Sequence, residues 1–261
     1  MLEIHEPADP RYFGTIQQGS SGITLDEGAG FGTALASLRD PRSGEASGAY
    51  HMAVGACEGG SQTGSVYLIG LSPQGSITRW TRIGSGRNNF TAALSSGAQF
   101  GSAIAALPDA HGRGGVGALA VAARQNLRVI SQTGVRVHGS VYILYIDADG
   151  IVTRYQTIEA TVGGFSAQPQ NFAGSLASVP DLDGDGVAEL AVGSTLEAWF
   201  YGAVYVLLLQ ADGSVKGHVL LDRTSLGISA SFGDAIGYSS GLTALDVRDE
   251  CSNAGPYIVR L

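Results

Sequence analysis

An all-β fold of repeated four-stranded sheets is what the sequence predicts, on three observations. Short apolar runs rich in Val, Ile and Ala recur along the chain, separated by glycine-bearing turns. Glycine is abundant, at 39 of 261 residues, yet shows none of the every-third-residue period of collagen. The same order of four strand-like segments, each order opened by a Phe-Gly-like pair, returns three times.

The first segment of each unit is a small-residue strand behind the aromatic. Its copies are Phe31-Gly32-Thr33-Ala34-Leu35-Ala36-Ser37-Leu38, Phe100-Gly101-Ser102-Ala103-Ile104-Ala105-Ala106-Leu107 and Phe172-Ala173-Gly174-Ser175-Leu176-Ala177-Ser178-Val179. A further start stands at Phe232-Gly233-Asp234-Ala235-Ile236. The second strand is predicted over Met52 to Ala56, Leu119 to Ala123 and Leu190 to Gly193. The third opens with Gly-x-Val-Tyr, as Gly64-Ser65-Val66-Tyr67, Gly139-Ser140-Val141-Tyr142 and Gly202-Ala203-Val204-Tyr205. Turns ending in glycine follow at Ser72 to Gly75, Asp147 to Gly150 and Gln210 to Gly213, because glycine tolerates the positive φ of a tight hairpin. The fourth strands are Ile77 to Ile83, Ile151 to Ile158 and Val215 to Leu221.

Four short strands per repeat are the blades of a β-propeller of antiparallel sheets. The chain reads as one region over residues 1–261, with full blades at about 31–99, 100–171 and 172–231. Partial blades are expected at 12–30, where Tyr12 to Leu25 reads as a closing strand, and at 232–261. Two arrangements stay open. The two ends could pair to close a ring and hide the strand edges, or the chain is a piece of a larger ring, which the small number of blades favours. A β-sandwich is the alternative fold, but it does not account for a strand order that recurs three times.

Composition narrows the function classes. The net charge is −8, only 15% of residues are charged, and Lys and Arg form no run, which argues against nucleic acid as a partner. An acidic balance suits a soluble chain and one that binds cations. No apolar stretch reaches membrane-helix length, and Met1 to Pro7 has neither the basic nor the apolar region of a secretory signal. The two cysteines, Cys57 and Cys251, fall in different repeats and outside any zinc-type spacing, which leaves one disulfide or two thiols open.

The sharpest chemical signal is Asp181-Leu182-Asp183-Gly184-Asp185-Gly186-Val187-Ala188-Glu189. Carboxylates at alternate positions converge when such a loop curls, and Ca2+ takes six to eight oxygen ligands at about 2.3–2.6 Å. The expected donors are the side chains of Asp181, Asp183, Asp185 and Glu189 and the backbone carbonyl of Val187, with Gly184 and Gly186 allowing the curl. An EF-hand would need flanking helices and a Glu at the twelfth position, where this chain has Val192. A metal-free acidic turn is the bland alternative, opposed by like-charge repulsion. Asp147 to Gly150 reads as a plain turn. The corresponding loops Asp40 to Glu45 and Asp109 to Gly114 have lost the ligand pattern, and Arg42 and Arg113 are expected to stand where the ion would sit, pairing Asp40 and Asp109.

No Gly-x-Ser-x-Gly elbow, His-Glu-x-x-His or phosphate-binding Gly-x-x-x-x-Gly-Lys occurs, and the five histidines stand singly, so the chain reads as non-catalytic. Candidate docking residues lie between second and third strands: Arg124, Arg128, Arg136 and His138 in the second blade, and Trp199-Phe200-Tyr201 in the third. For the latter trio, packing between blades is the preferred reading.

From about Phe31 to Val259 these motifs resemble the FG-GAP repeats of integrin α-subunits and related surface proteins. The resemblance implies a seven-bladed propeller with calcium in loops such as Asp181 to Glu189 on its lower face. It also implies an extracellular or cell-surface module that binds a protein or glycan ligand on the opposite face in adhesion. The alternative is an accessory propeller of a secreted hydrolase, phospholipase or lyase. The chain departs from the family in blade number and in having one intact acidic loop.

Overall fold

The computed structural model describes residues 15–38, 50–58, 63–72, 75–107, 118–130, 135–169, 171–195 and 202–225, with backbone alone at 128–130 and 135–138. The described residues hold three four-stranded antiparallel sheets and a single 3-10 turn at Ser20–Gly22. The first sheet runs β1 (Phe31–Ser37), β2 (Met52–Ala56), β3 (Ser65–Leu71), β4 (Ile77–Gly84). The second runs β5 (Phe100–Ala106), β6 (Leu119–Ile130), β7 (Val135–Ile146), β8 (Val152–Ile158). The third runs β9 (Leu176–Val179), β10 (Glu189–Ser194), β11 (Ala203–Leu209), β12 (Val215–Asp222). In each, chain order equals spatial order, so every sheet is a meander of the propeller-blade kind. The first strands lie together, β5 against β1 and β2, and β9 against β5, and the described residues do not close a ring.

Burial explains the strand patterns. The third strands are continuous apolar runs because both of their faces are covered; Val66, Tyr67, Leu68 and Ile69 are all buried. One apolar cluster fills the space between blades one and two, joining Val66, Leu68 and Ile83 to Phe100, Val121 and Tyr142. A second joins Val141, Ile143 and Ile158 to Phe172, Val192 and Tyr205 between blades two and three. Each boundary is keyed by a stacked aromatic pair, Phe90 with Phe100 at 4.8 Å and Phe165 with Phe172 at 5.0 Å. The Tyr of Gly-x-Val-Tyr meets that pair edge-on, Tyr142 on Phe90 and Tyr205 on Phe165.

Two motif glycines are explained by close approach. Gly64 and Gly139 have φ of +86° and +96°, and a Cβ there would fall 2.2 Å from the Phe100 carbonyl and 1.9 Å from the Phe172 carbonyl. The Gly-x-Val-Tyr glycine of one blade therefore makes room for the Phe-Gly backbone of the next, and Phe100 N–H donates to Thr63 O across this seam (2.8 Å).

Two expectations are corrected. Tyr12 to Leu25 was expected as a closing strand, but residues 15–30 contain no strand. They repeat the crossover that leads from one blade into the next. Gly19 N–H donates to Ile23 O (2.9 Å) as Gly86 does to Phe90 O (3.0 Å), and Ile23 takes the buried place of Phe90. Positive φ at Gly19, Ser21 and Gly22 prevents extension. The segment instead covers blade one, where Ile23 packs in a cluster with Val54, Tyr67 and Ile69.

The second correction concerns Arg124, Arg128, Arg136 and His138, expected in a loop. The ladder of β6 with β7 continues beyond the sheet, pairing Leu127 with His138, Arg128 with Val137 and Val129 with Arg136 after an irregularity between Ala123 and Leu127. The β-branched Val129, Ile130, Val135 and Val137 favour this extended ribbon. Trp199 to Tyr201, the Asp40 and Asp109 loops with Arg42 and Arg113, Cys251 and the expected partial blade 232–261 lie outside the described residues. Cys57 is buried.

Candidate metal centre

The acidic loop joins β9 to β10, and the pair Val179–Glu189 forms its base. Its curl follows from its sequence. Gly184 and Gly186 adopt φ of +79° and +84°, which only glycine does without strain. Asp181 then caps the turn from inside, its two carboxylate oxygens accepting Gly184 N–H and Gly186 N–H, each at 2.7 Å. Asp185 accepts the N–H of Val187 at 2.8 Å.

The structure brings the four expected carboxylates together. Asp181, Asp183, Asp185 and Glu189 each present an oxygen within 4.8 Å of the others. The three aspartates are exposed, whereas Glu189, the first residue of β10, is 0% exposed. One of its oxygens accepts Leu209 N–H from the end of β11 (2.7 Å), and the other, Oε1, has no hydrogen-bond partner. A buried carboxylate oxygen left unmatched is costly. Burial raises the Glu189 carboxyl above the usual carboxylate range; the Leu209 amide opposes this, and the charges of Asp183 and Asp185 add to it.

One participant carried no sequence signal beyond its residue type. Lys216, near the start of β12, reaches over the loop and bonds Asp183 (2.8 Å) and Asp185. These two carboxylates hold its ammonium above the ordinary lysine range, and Lys216 in turn holds the Asp185 carboxyl below its own.

The donor set is all oxygen, partly buried and acidic, which suits a hard divalent cation. Four carboxylates with one unmatched buried oxygen fit Ca2+, and the Val187 carbonyl, between Asp185 and Glu189 in the chain, is the expected fifth donor. By contrast, Asp147 to Gly150 is a turn: Gly150 N–H donates to Asp147 O (3.0 Å), and Asp147 Oδ1 accepts Asp149 and Ile151 N–H. Two histidines have structural places. His51 Nδ1 accepts Leu71 N–H, and His218 packs on Phe165 and Tyr205.

Four-stranded meander blades, the third with an acidic hairpin loop between its first two strands, define the class, a blade-repeat protein of the propeller type. Residues 172–207, in its third blade, match the family model of the FG-GAP repeat. The match spans the whole acidic loop. Comparison with curated proteins gives no match.

Proposed function

We propose that this chain is a calcium-binding, non-catalytic propeller module of the cell exterior or cell surface, which presents a face to a protein or glycan ligand in adhesion. Glu189 carries the reading. A buried carboxylate oxygen without a partner, facing three exposed aspartates, is the arrangement that a divalent ion completes. Calcium fits better than magnesium, which prefers fewer protein oxygens and keeps its waters. Bound at Asp181, Asp183, Asp185, Glu189 and the Val187 carbonyl, the ion would tie β9, β10 and the loop into one rigid hairpin. The FG-GAP match at this blade supports the same assignment. The family resemblance supports a ligand-binding face opposite the loop. Among the described residues no helix is long and apolar enough to cross a membrane.

The test is thermal unfolding with calcium and with EDTA. Calcium is expected to raise the midpoint by mass action on the folded state. The double variant Asp183→Ala, Asp185→Ala is expected to lose that response, and an undiminished shift in it would refute the site.

A further inference from the structure

Lys216 is the single lysine of the chain, and it stands over the acidic loop. We propose that Lys216 is a tethered counter-cation of the ion-free loop, displaced when a divalent ion enters, so that the site works by exchange of one cation for another. The inference rests on the calcium reading above and concerns how that site is controlled.

The geometry carries it. The Lys216 ammonium bonds Asp183 through both carboxylate oxygens, at 3.0 Å and 2.8 Å, and also bonds Asp185 Oδ2. The other oxygen of Asp185 accepts the Val187 amide, and both oxygens of Asp181 accept loop amides. The ammonium thus engages the aspartate oxygens that are not already held by loop amides. It leaves Glu189 Oε1, at the buried end, without a partner. A compact ion seated among all four carboxylates reaches that atom, whereas the ammonium at the exposed end satisfies only two of the four.

Both cations cannot be held equally well. A divalent ion among these oxygens would lie within a few ångströms of the ammonium, and the two repel. The means of release is present: Lys216 sits on the outer strand of the blade on a flexible four-carbon stem, its side chain partly open to water. While the loop is ion-free, the tether limits repulsion between Asp183 and Asp185 and keeps their carboxylates gathered. On loading, it must swing into solvent, which weakens calcium affinity relative to a loop with no lysine. The device places the affinity below that of an unopposed four-carboxylate site.

Two measurements test this on the whole chain. Calorimetry should find that Lys216→Met binds calcium about tenfold more tightly than the parent, because a nearby like charge has been removed, while Lys216→Arg stays close to the parent. Independently, the unmodified chain is treated with an acetylating reagent and the Lys216 peptide is quantified by mass spectrometry. Its acetylation should be slow in EDTA and rise over the calcium range that saturates the site. Equal affinities in the parent and Lys216→Met, or Lys216 acetylation indifferent to calcium that is demonstrably bound, would overturn the exchange and leave the metal site standing. Absence of calcium binding in every form would remove both.

Discussion

Arg154 lies over the ring of Tyr145, its guanidinium carbon 3.3 Å from the ring centroid, and both side chains donate to the same carbonyl, that of Ala211, at 3.1 Å. The two residues face each other across β7 and β8, and Ala211 belongs to the hairpin turn of the next blade. Blades one and two share an equivalent clamp. Arg79 covers Tyr50 at 3.8 Å, Tyr50 donates to Asp149 O (3.0 Å), and Arg79 to Ala148 O. Here the ring comes from the residues before β2, and Gly70, opposite Arg79, leaves the space that it fills. The clamp is thus reached by two different routes in the chain.

Removal of one clamp should loosen one seam. Tyr145→Phe is expected to cost about 1 kcal/mol, one hydrogen bond, and Arg154→Met about 1–2 kcal/mol through the lost ring contact and carbonyl bonds. Urea unfolding of the single and double variants measures both, and their coupling should be positive, since the two side chains share an acceptor.

The seam glycines should tolerate nothing larger. At Gly139 a methyl group would sit 1.9 Å from the Phe172 carbonyl, and at Gly64 2.2 Å from that of Phe100. Either Gly→Ala change combines a backbone clash with a positive-φ penalty and is expected to cost at least about 3 kcal/mol. A near-unchanged denaturation midpoint would show that the seam has slack.

These glycines also mark what was legible beforehand. The recurring Gly-x-Val-Tyr and Phe-Gly pairs gave the strand order and the blade starts, because both motifs answer a local backbone demand that repeats. The acidic loop was legible for the same reason: Asp181 and the two glycines form a self-contained turn. The crossover at residues 15–30 was misread because its apolar residues mimic a strand, while the left-handed glycines that bend it look like ordinary turn residues. Lys216 could not be read at all, since its approach to the loop depends on β12 folding back beside β11 at the edge of the sheet. The same holds for Asn126, a buried amide on the extended ribbon that ties Ser95, Ser140 and Tyr142 together.

Asn126→Ala should therefore be among the more damaging polar changes. It removes the side chain that accepts Ser95 N–H at 2.9 Å and donates to the buried Ser140 and Tyr142. A loss of about 2–4 kcal/mol is expected, read from the urea midpoint.

Acid should weaken the crossover onto blade one. The Arg82 guanidinium bonded to Asp26 holds that carboxyl below the usual carboxylate range, with partial burial opposing. A group depressed in the folded state stabilises above its unfolded value, and the benefit disappears as pH falls through the folded value. Stability measured from pH 6 downwards should fall less steeply in Asp26→Asn than in the parent, a modest difference because the pair is partly solvated.

Glu189→Gln separates ion binding from folding. The amide can still accept the Leu209 N–H, and it removes a buried charge. The variant should be at least as stable as the parent in EDTA yet gain little from calcium, as read by differential scanning calorimetry.

Because both described seams are assembled from the same few parts, each described sheet leans on the next in chain order. Stability is then approximately a sum over sheets and seams. Pulled from its ends, such a molecule should give way in discrete steps, one meander at a time, leaving a sawtooth trace in which an ion held at the acidic loop would raise the peak of the third sheet.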